Sequence, residues 1–160
     1  MAVWTVYLSI CLLFPLAASE IPIPNKCKDT CDSGWAAHGC RCFKFFNTPK
    51  TWIEAEKTCL AYNGNLASVH THSEYTFIQN LIRNTNYALT EAWIGGSDAV
   101  WEGTWLWSDG SRMNLELWAP GQPDYSNSPR EDCLGMNFGS SGKWNDYICD
   151  WNMAFVCVKK

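Results

Sequence analysis

Cysteine content constrains this chain more than any other feature. Nine cysteines stand in 160 residues. Cys11 lies in an N-terminal stretch with no charged side chain; the rest are Cys27, Cys31, Cys40, Cys42, Cys59, Cys133, Cys149 and Cys157. That stretch has an apolar core from Val6 to Phe14 and continues Pro15-Leu16-Ala17-Ala18-Ser19. An apolar run followed by small residues reads as a secretory leader, cleaved before Glu20. It is short for a bilayer span of ~20 residues. Removing it takes away Cys11 and leaves an even, dense set in an oxidising compartment. Such a set reads as a disulfide framework, although eight cysteines allow ~105 pairings. A zinc reading rests on Cys27-x3-Cys31 and Cys40-x-Cys42 and is weaker in that compartment. Residues 1–19 are therefore assigned to the leader, 20–30 to an N-terminal lead and 31–160 to one domain.

The composition narrows the partners. A net charge of −4, with no basic run beyond Lys159-Lys160, gives no support for nucleic acid or an anionic membrane as a partner. No usable N-x-S/T acceptor is present, since Asn47-Thr48-Pro49 and Asn127-Ser128-Pro129 fail the pattern. His38, His70 and His72 are scattered, and no nucleophile–His–acid motif stands in an interpretable context. The chain is read as not an enzyme.

Periodicity supplies the elements. "CFKFF" suits a strand. Residues 51–62 carry Trp52, Ala55, Cys59 and Tyr62 at helical spacing, with Cys59 on the buried face and Gly64 stopping the helix. "NLASV" is a short strand. A second helix opens with a capping box from Thr71 to Glu74 and presents Tyr75, Ile78, Leu81 and Ile82 on one face. "AWIGGS" and the alternating "GTWLWSDGS" read as strands, as do "CLGMNF", "KWNDYIC" and "AFVCV". From Asp109 to Arg130 there is little periodicity, and a loop that long inside a domain is usually functional or disordered.

That irregular region gathers oxygens. Gln122, Asp124 and Glu131 lie in "GQPDYSNSPREDC", and Asn145 and Asp146 follow in "KWNDYIC". Calcium takes six to eight oxygens from carboxylates, amides, backbone and water. The set holds no Cys or His, which argues against zinc or copper. Asp132 is left as an ion-pair or supporting residue. The segment Tyr125-Ser126-Asn127-Ser128 is poor in carboxylates, and binding of a second ion stays open.

The chain resembles the C-type lectin-like domain family from about Cys31 to Lys160. The motifs are "GWAAHGCRCFKFF", "TWIEAEKTC", "GNLASVHTHSEY", "WIGGSD", "WLWSDGS", "QPD", "EDC", "WND" and "FVCV". Their order looks most like the small secreted galactose- or lactose-binding lectins of fish. The resemblance implies an α+β fold: two helices packed on short antiparallel sheets, a long calcium-binding loop region and disulfide bonds. It implies the pairs Cys59–Cys157, Cys133–Cys149 and Cys31–Cys42. Cys27 and Cys40 depart from the common pattern; bonding to each other, exchange with Cys31 and Cys42, or linkage of two chains all stay open.

The resemblance further implies one Ca2+ held by Gln122, Asp124, Glu131, Asn145 and Asp146, with a cis Gln122–Pro123 bond. Sugar hydroxyls would meet the same ion and Gln122, Asp124, Glu131 and Asn145. An amide before the proline and a carboxylate after it implies galactose-type glycans. Tyr125 is the candidate stacking ring, and Trp144 is read as core beside the site. "YSNSPR" carries neither the Trp nor the glycine-rich turn that many galactose-binding relatives place there. The expected protein is a secreted, extracellular lectin for galactose-containing glycans or glycoproteins, with a role in innate immune recognition and a homo-oligomeric form open. The alternative is a type II antifreeze-like or protein-binding member of the same fold.

Overall fold

The computed structural model describes Met1, residues 30–124 and residues 130–160. The leader assigned to 1–19, most of the N-terminal lead, Cys27 and Tyr125 lie outside the described residues. In chain order the elements are β1 (Ala36–His38), β2 (Arg41–Lys50), α1 (Trp52–Ala61), β3 (Asn65–Leu66) and α2 (His72–Asn86). There follow β4 (Ala92–Ser97), β5 (Leu106–Trp107), β6 (Cys133–Phe138), β7 (Lys143–Tyr147) and β8 (Met153–Lys159). The strands form one sheet in the order β1-β2-β8-β4-β6-β7, with β3 on β8 and β5 on β4. The expected α+β class with two helices holds. The pairing is antiparallel except between β4 and β8, where Ala92 faces Ala154 and Trp93 faces Phe155 in parallel register.

The helices close two apolar clusters. One joins Ile78 and Ile82 of α2 to Phe43, Ile94, Leu134 and Val156. The other joins Ala55 and Cys59 of α1 to Leu66, Trp93, Tyr147 and Phe155. Strand alternation explains the first: Phe43 and Phe45 are buried while Lys44 between them is not. Two indoles tie α1 and the end of β2 to β4 through their polar edges. Trp52 Nε1 donates to the Ile94 carbonyl at 2.9 Å, and Trp93 Nε1 donates to the Lys50 carbonyl at 2.9 Å. Three disulfides add covalent ties: Cys31–Cys42, Cys59–Cys157 and Cys133–Cys149. These are the pairs the resemblance implies. Cys40 is disulfide-bonded as well.

Three local expectations are corrected. The full capping box belongs to α1, where Thr51 and Glu54 bond reciprocally. At α2 the Thr71 hydroxyl accepts from Glu74 N, but the Glu74 carboxylate turns to Arg41 and to the His70 backbone N–H. The ion pair outcompetes the reciprocal cap. Second, Asn63 rather than Gly64 adopts the left-handed backbone after α1, at φ 60°. Gly64 serves close approach: a Cβ there would stand 2.3 Å from the Val158 carbonyl oxygen of β8. Third, "GTWLWSDGS" forms only the two-residue strand β5. Its alternation comes from Trp105 and Trp107 packing inward with the loop, as Trp105 meets Trp118 edge-on with ring centres 4.8 Å apart.

Candidate metal centre

β7 supplies the fixed half of the site. Asn145 and Asp146 pair with Gly135 and Leu134 of β6, and both are buried. The irregular chain after β5 is tied to the same strand. Trp144 N donates to the Leu117 carbonyl at 2.9 Å, Ala119 N to the Trp144 carbonyl at 2.8 Å, and Gln122 N to the Ala119 carbonyl at 2.9 Å. The Trp144 ring is fully buried and meets Trp107 and Trp118 edge-on, with centroids 5.7 and 5.9 Å away. Trp144 is thus core that anchors the loop, and has no face to offer a ligand. The anchoring carries Gln122 and Asp124 toward Asn145 and Asp146. The Gln122–Pro123 bond is cis.

The structure brings one carboxylate oxygen from each of Asp124, Glu131 and Asp146 to within 4.8 Å of one another. Oxygens on a single calcium at ~2.4 Å lie no more than about 5 Å apart, so the three can share one ion. Gln122 Oε1, Asn145 Oδ1 and Asp146 Oδ1 are buried and accept no hydrogen bond from the described residues. Buried polar atoms are normally satisfied, and orphaned oxygens on residues that flank or belong to a carboxylate cluster fit a hard cation. Asn145 Nδ2 commits one of its two N–H groups to the Asp146 carbonyl at 2.7 Å. Burial pushes the Asp146 carboxyl up to about 6, and the charge of Asp124 adds to the rise. Nothing but oxygen is offered, which selects calcium over zinc.

The sequence reading missed a second acidic group, Asp98, Glu102 and Asp132, whose oxygens also lie within 4.8 Å of one another. Burial raises the Asp98 carboxyl, and Glu102 and Asp132 raise it further. Arg130 covers this group, with Nε 3.2 Å from Glu102 and 3.0 Å from Asp132. Asp132, left open above, is an ion-pair residue. Asp98 follows "WIGGS" and Glu102 follows an exposed Trp101, so neither stands in an acidic run that would mark it.

Residues 48–159 match the Lectin C-type domain family. The galactose-specific lectin nattectin of Thalassophryne nattereri is 38% identical over 156 residues, covering 98% of this chain and 95% of that protein. Lactose-binding lectin l-2 of Anguilla japonica is 37% identical, with 95% of this chain and 92% of that protein covered. Among solved structures, herring type II antifreeze protein superposes with a TM-score of 0.75 at 33% identity, over 81% of this chain and 98% of that one. The chain belongs to the C-type lectin domain family. Nattectin and lactose-binding lectin l-2 are carbohydrate-binding lectins by name, and the family is one of lectins rather than enzymes. No helix among the described residues is long and apolar enough to cross a membrane.

Proposed function

We propose that the chain is a secreted, calcium-dependent lectin for galactose- or lactose-type glycans. One observation carries the reading: one carboxylate oxygen from each of Asp124, Glu131 and Asp146 lies within 4.8 Å of the others, and the side-chain oxygens of Gln122 and Asn145, which flank Asp124 and Asp146 in sequence, are buried without a hydrogen-bond partner among the described residues. These five residues would hold one Ca2+, which supplies Lewis-acid binding of two vicinal hydroxyls. The chain's own groups then read the sugar. Asp124 and Glu131 accept hydroxyl protons; the amides of Gln122 and Asn145 donate to hydroxyl oxygens. Amide first and carboxylate second around Pro123 supports galactose-type 3- and 4-hydroxyls, as do the galactose specificity of nattectin and the lactose binding of lactose-binding lectin l-2. Tyr125 is the proposed stacking ring, and a cleaved leader over residues 1–19 would deliver the domain outside the cell.

The herring protein supports a second reading, an ice-binding member of the fold. Galactose–agarose separates the two. The lectin should be retained in calcium and released by chelator, and Asn145→Ala should pass through unretained while keeping its circular dichroism. Flow-through of the calcium-loaded parent would overturn the galactoside reading.

A further inference from the structure

Away from the metal centre, a cavity of about 720 Å3 opens between the β1–β2 hairpin, the chain after α1, the turn after β5 and the end of β8. Arg41, Asn65, His70, Asp109, Ser111 and Lys160 line it, and none is a candidate calcium ligand. Arg41 is held rigidly, its side chain 15% exposed. Nη1 donates to Glu74 Oε1 at 2.8 Å; Nη2 donates to the Ser68 carbonyl at 3.0 Å and the Ser68 hydroxyl at 2.6 Å. A guanidinium has five N–H donors, so Nε–H and one Nη1–H are not spent on Glu74 or Ser68.

The cavity's one carboxylate is already saturated. Asp109 accepts from the Ser68 hydroxyl, from Ser111 N and from the Ser111 hydroxyl. With both hydroxyl protons spent on Asp109, His70 Nε2, 3.1 Å from Ser68 Oγ and 3.2 Å from Ser111 Oγ, must be the donor to them. Lys159 is drawn off to Asp32 at 2.6 Å. Of the side-chain charges on the wall, those left over are cationic: the guanidinium of Arg41 and the ammonium of Lys160. A pre-positioned guanidinium beside an ammonium suits a carboxylate or sulfate. The volume exceeds what a lone anion fills and lies in the range of small-molecule sites, and Asn65 and Ser111 add polar wall for hydroxyls.

We propose that this cavity is a calcium-independent site for an acidic saccharide, whose carboxylate or sulfate is held by Arg41 and Lys160. It stands apart from the calcium-dependent reading and is tested without the ion. The isotope-labelled full chain, kept in chelator, is titrated with glucuronate, inorganic sulfate and glucose and followed by amide NMR. Glucuronate should shift the amides of Asn65, Ser111 and Lys160, sulfate should shift them less, and glucose should leave them in place. Arg41→Gln and Lys160→Gln should each weaken glucuronate roughly tenfold, the loss of a charge-assisted hydrogen bond. Lys160 is exposed, so its variant keeps the test valid if Arg41→Gln unfolds. Equal shifts with glucose, binding of sulfate but not glucuronate, no shifts at all, or glucuronate affinity unchanged in a folded variant would each overturn the proposal.

Discussion

Gln122 and Asp124 place an amide and a carboxylate on either side of Pro123, and in the proposed site that order would decide which hydroxyl meets a donor and which an acceptor. Exchanging them by Gln122→Glu with Asp124→Asn keeps the total charge and the oxygens offered to the ion. A mismatched hydroxyl leaves a desolvated group unpaired, at a cost of ~1–3 kcal/mol or about ten- to hundredfold in affinity. Competition by galactose and mannose against an immobilised glycan should therefore move toward mannose; an unchanged ratio with calcium still bound would contradict this. Asp109 makes a separate prediction. Partial burial acts to raise its carboxyl, but hydrogen bonds from Ser111 and Ser68 prevail and hold it below its ordinary 3.8. Between the lowered and the ordinary value the unfolded chain binds more protons, so stability rises with pH. The contribution is complete above the ordinary carboxylate range and is lost as pH falls through the lowered value. Melting Asp109→Asn beside the parent should show a gap at neutral pH that closes in acid; a gap independent of pH would refute the assignment. The three carboxylates that folding gathers, Asp124, Glu131 and Asp146, were legible because they sit in two motifs on either side of Cys133. Asp98 and Glu102 were not, because only folding brings them to Asp132.

At the level of elements, backbone contact matters as much as side-chain pattern. α1 and α2 were readable from their 3.6-residue periodicity, with Cys59 and Ile78 buried as that pattern requires. Glycine was harder to read. Gly64 looks like a helix stop, yet it is the point where the chain after α1 passes under β8. Gly64→Ala would drive its Cβ into the Val158 carbonyl, 2.3 Å away, and neither backbone is free to yield. Overpacking of this kind costs roughly 1–3 kcal/mol, and chemical denaturation should show that loss with an unchanged m-value. Parent-like stability would mean the two segments are looser than described. The buried Glu56 belongs to the same corner. It accepts from Leu66 N at 2.7 Å, Asn65 Nδ2 at 2.6 Å and Ser108 Oγ at 3.1 Å. A charged residue on the inner face of a helix breaks the apolar pattern, so its role as a junction of three segments was hidden from periodicity.

Across the whole molecule, covalent and ionic ties hold a domain whose loop half has little regular structure. Cys59–Cys157 closes a separation of 98 residues and joins α1 to the last strand, a restriction of the unfolded chain worth ~2–4 kcal/mol. The pairing was legible through family motifs. The parallel contact of β4 with β8 was not, since no local pattern in a single sequence reports which distant strands become neighbours. On the proposed reading, an ion held by the carboxylate cluster of Asp124, Glu131 and Asp146 would add a tie that exists only in the folded state. Scanning calorimetry should accordingly find a higher Tm with excess calcium than with chelator, because a ligand of the native state alone stabilises by mass action. Coincident melts would remove the ion from the account.

The most direct measurement is a calorimetric titration of galactose into the native chain, at saturating calcium and again in chelator. If the ion held by Gln122, Asp124, Glu131, Asn145 and Asp146 receives the sugar, one galactose should bind per chain in calcium and none in chelator. Equal binding in both, or none in either, would contradict that account.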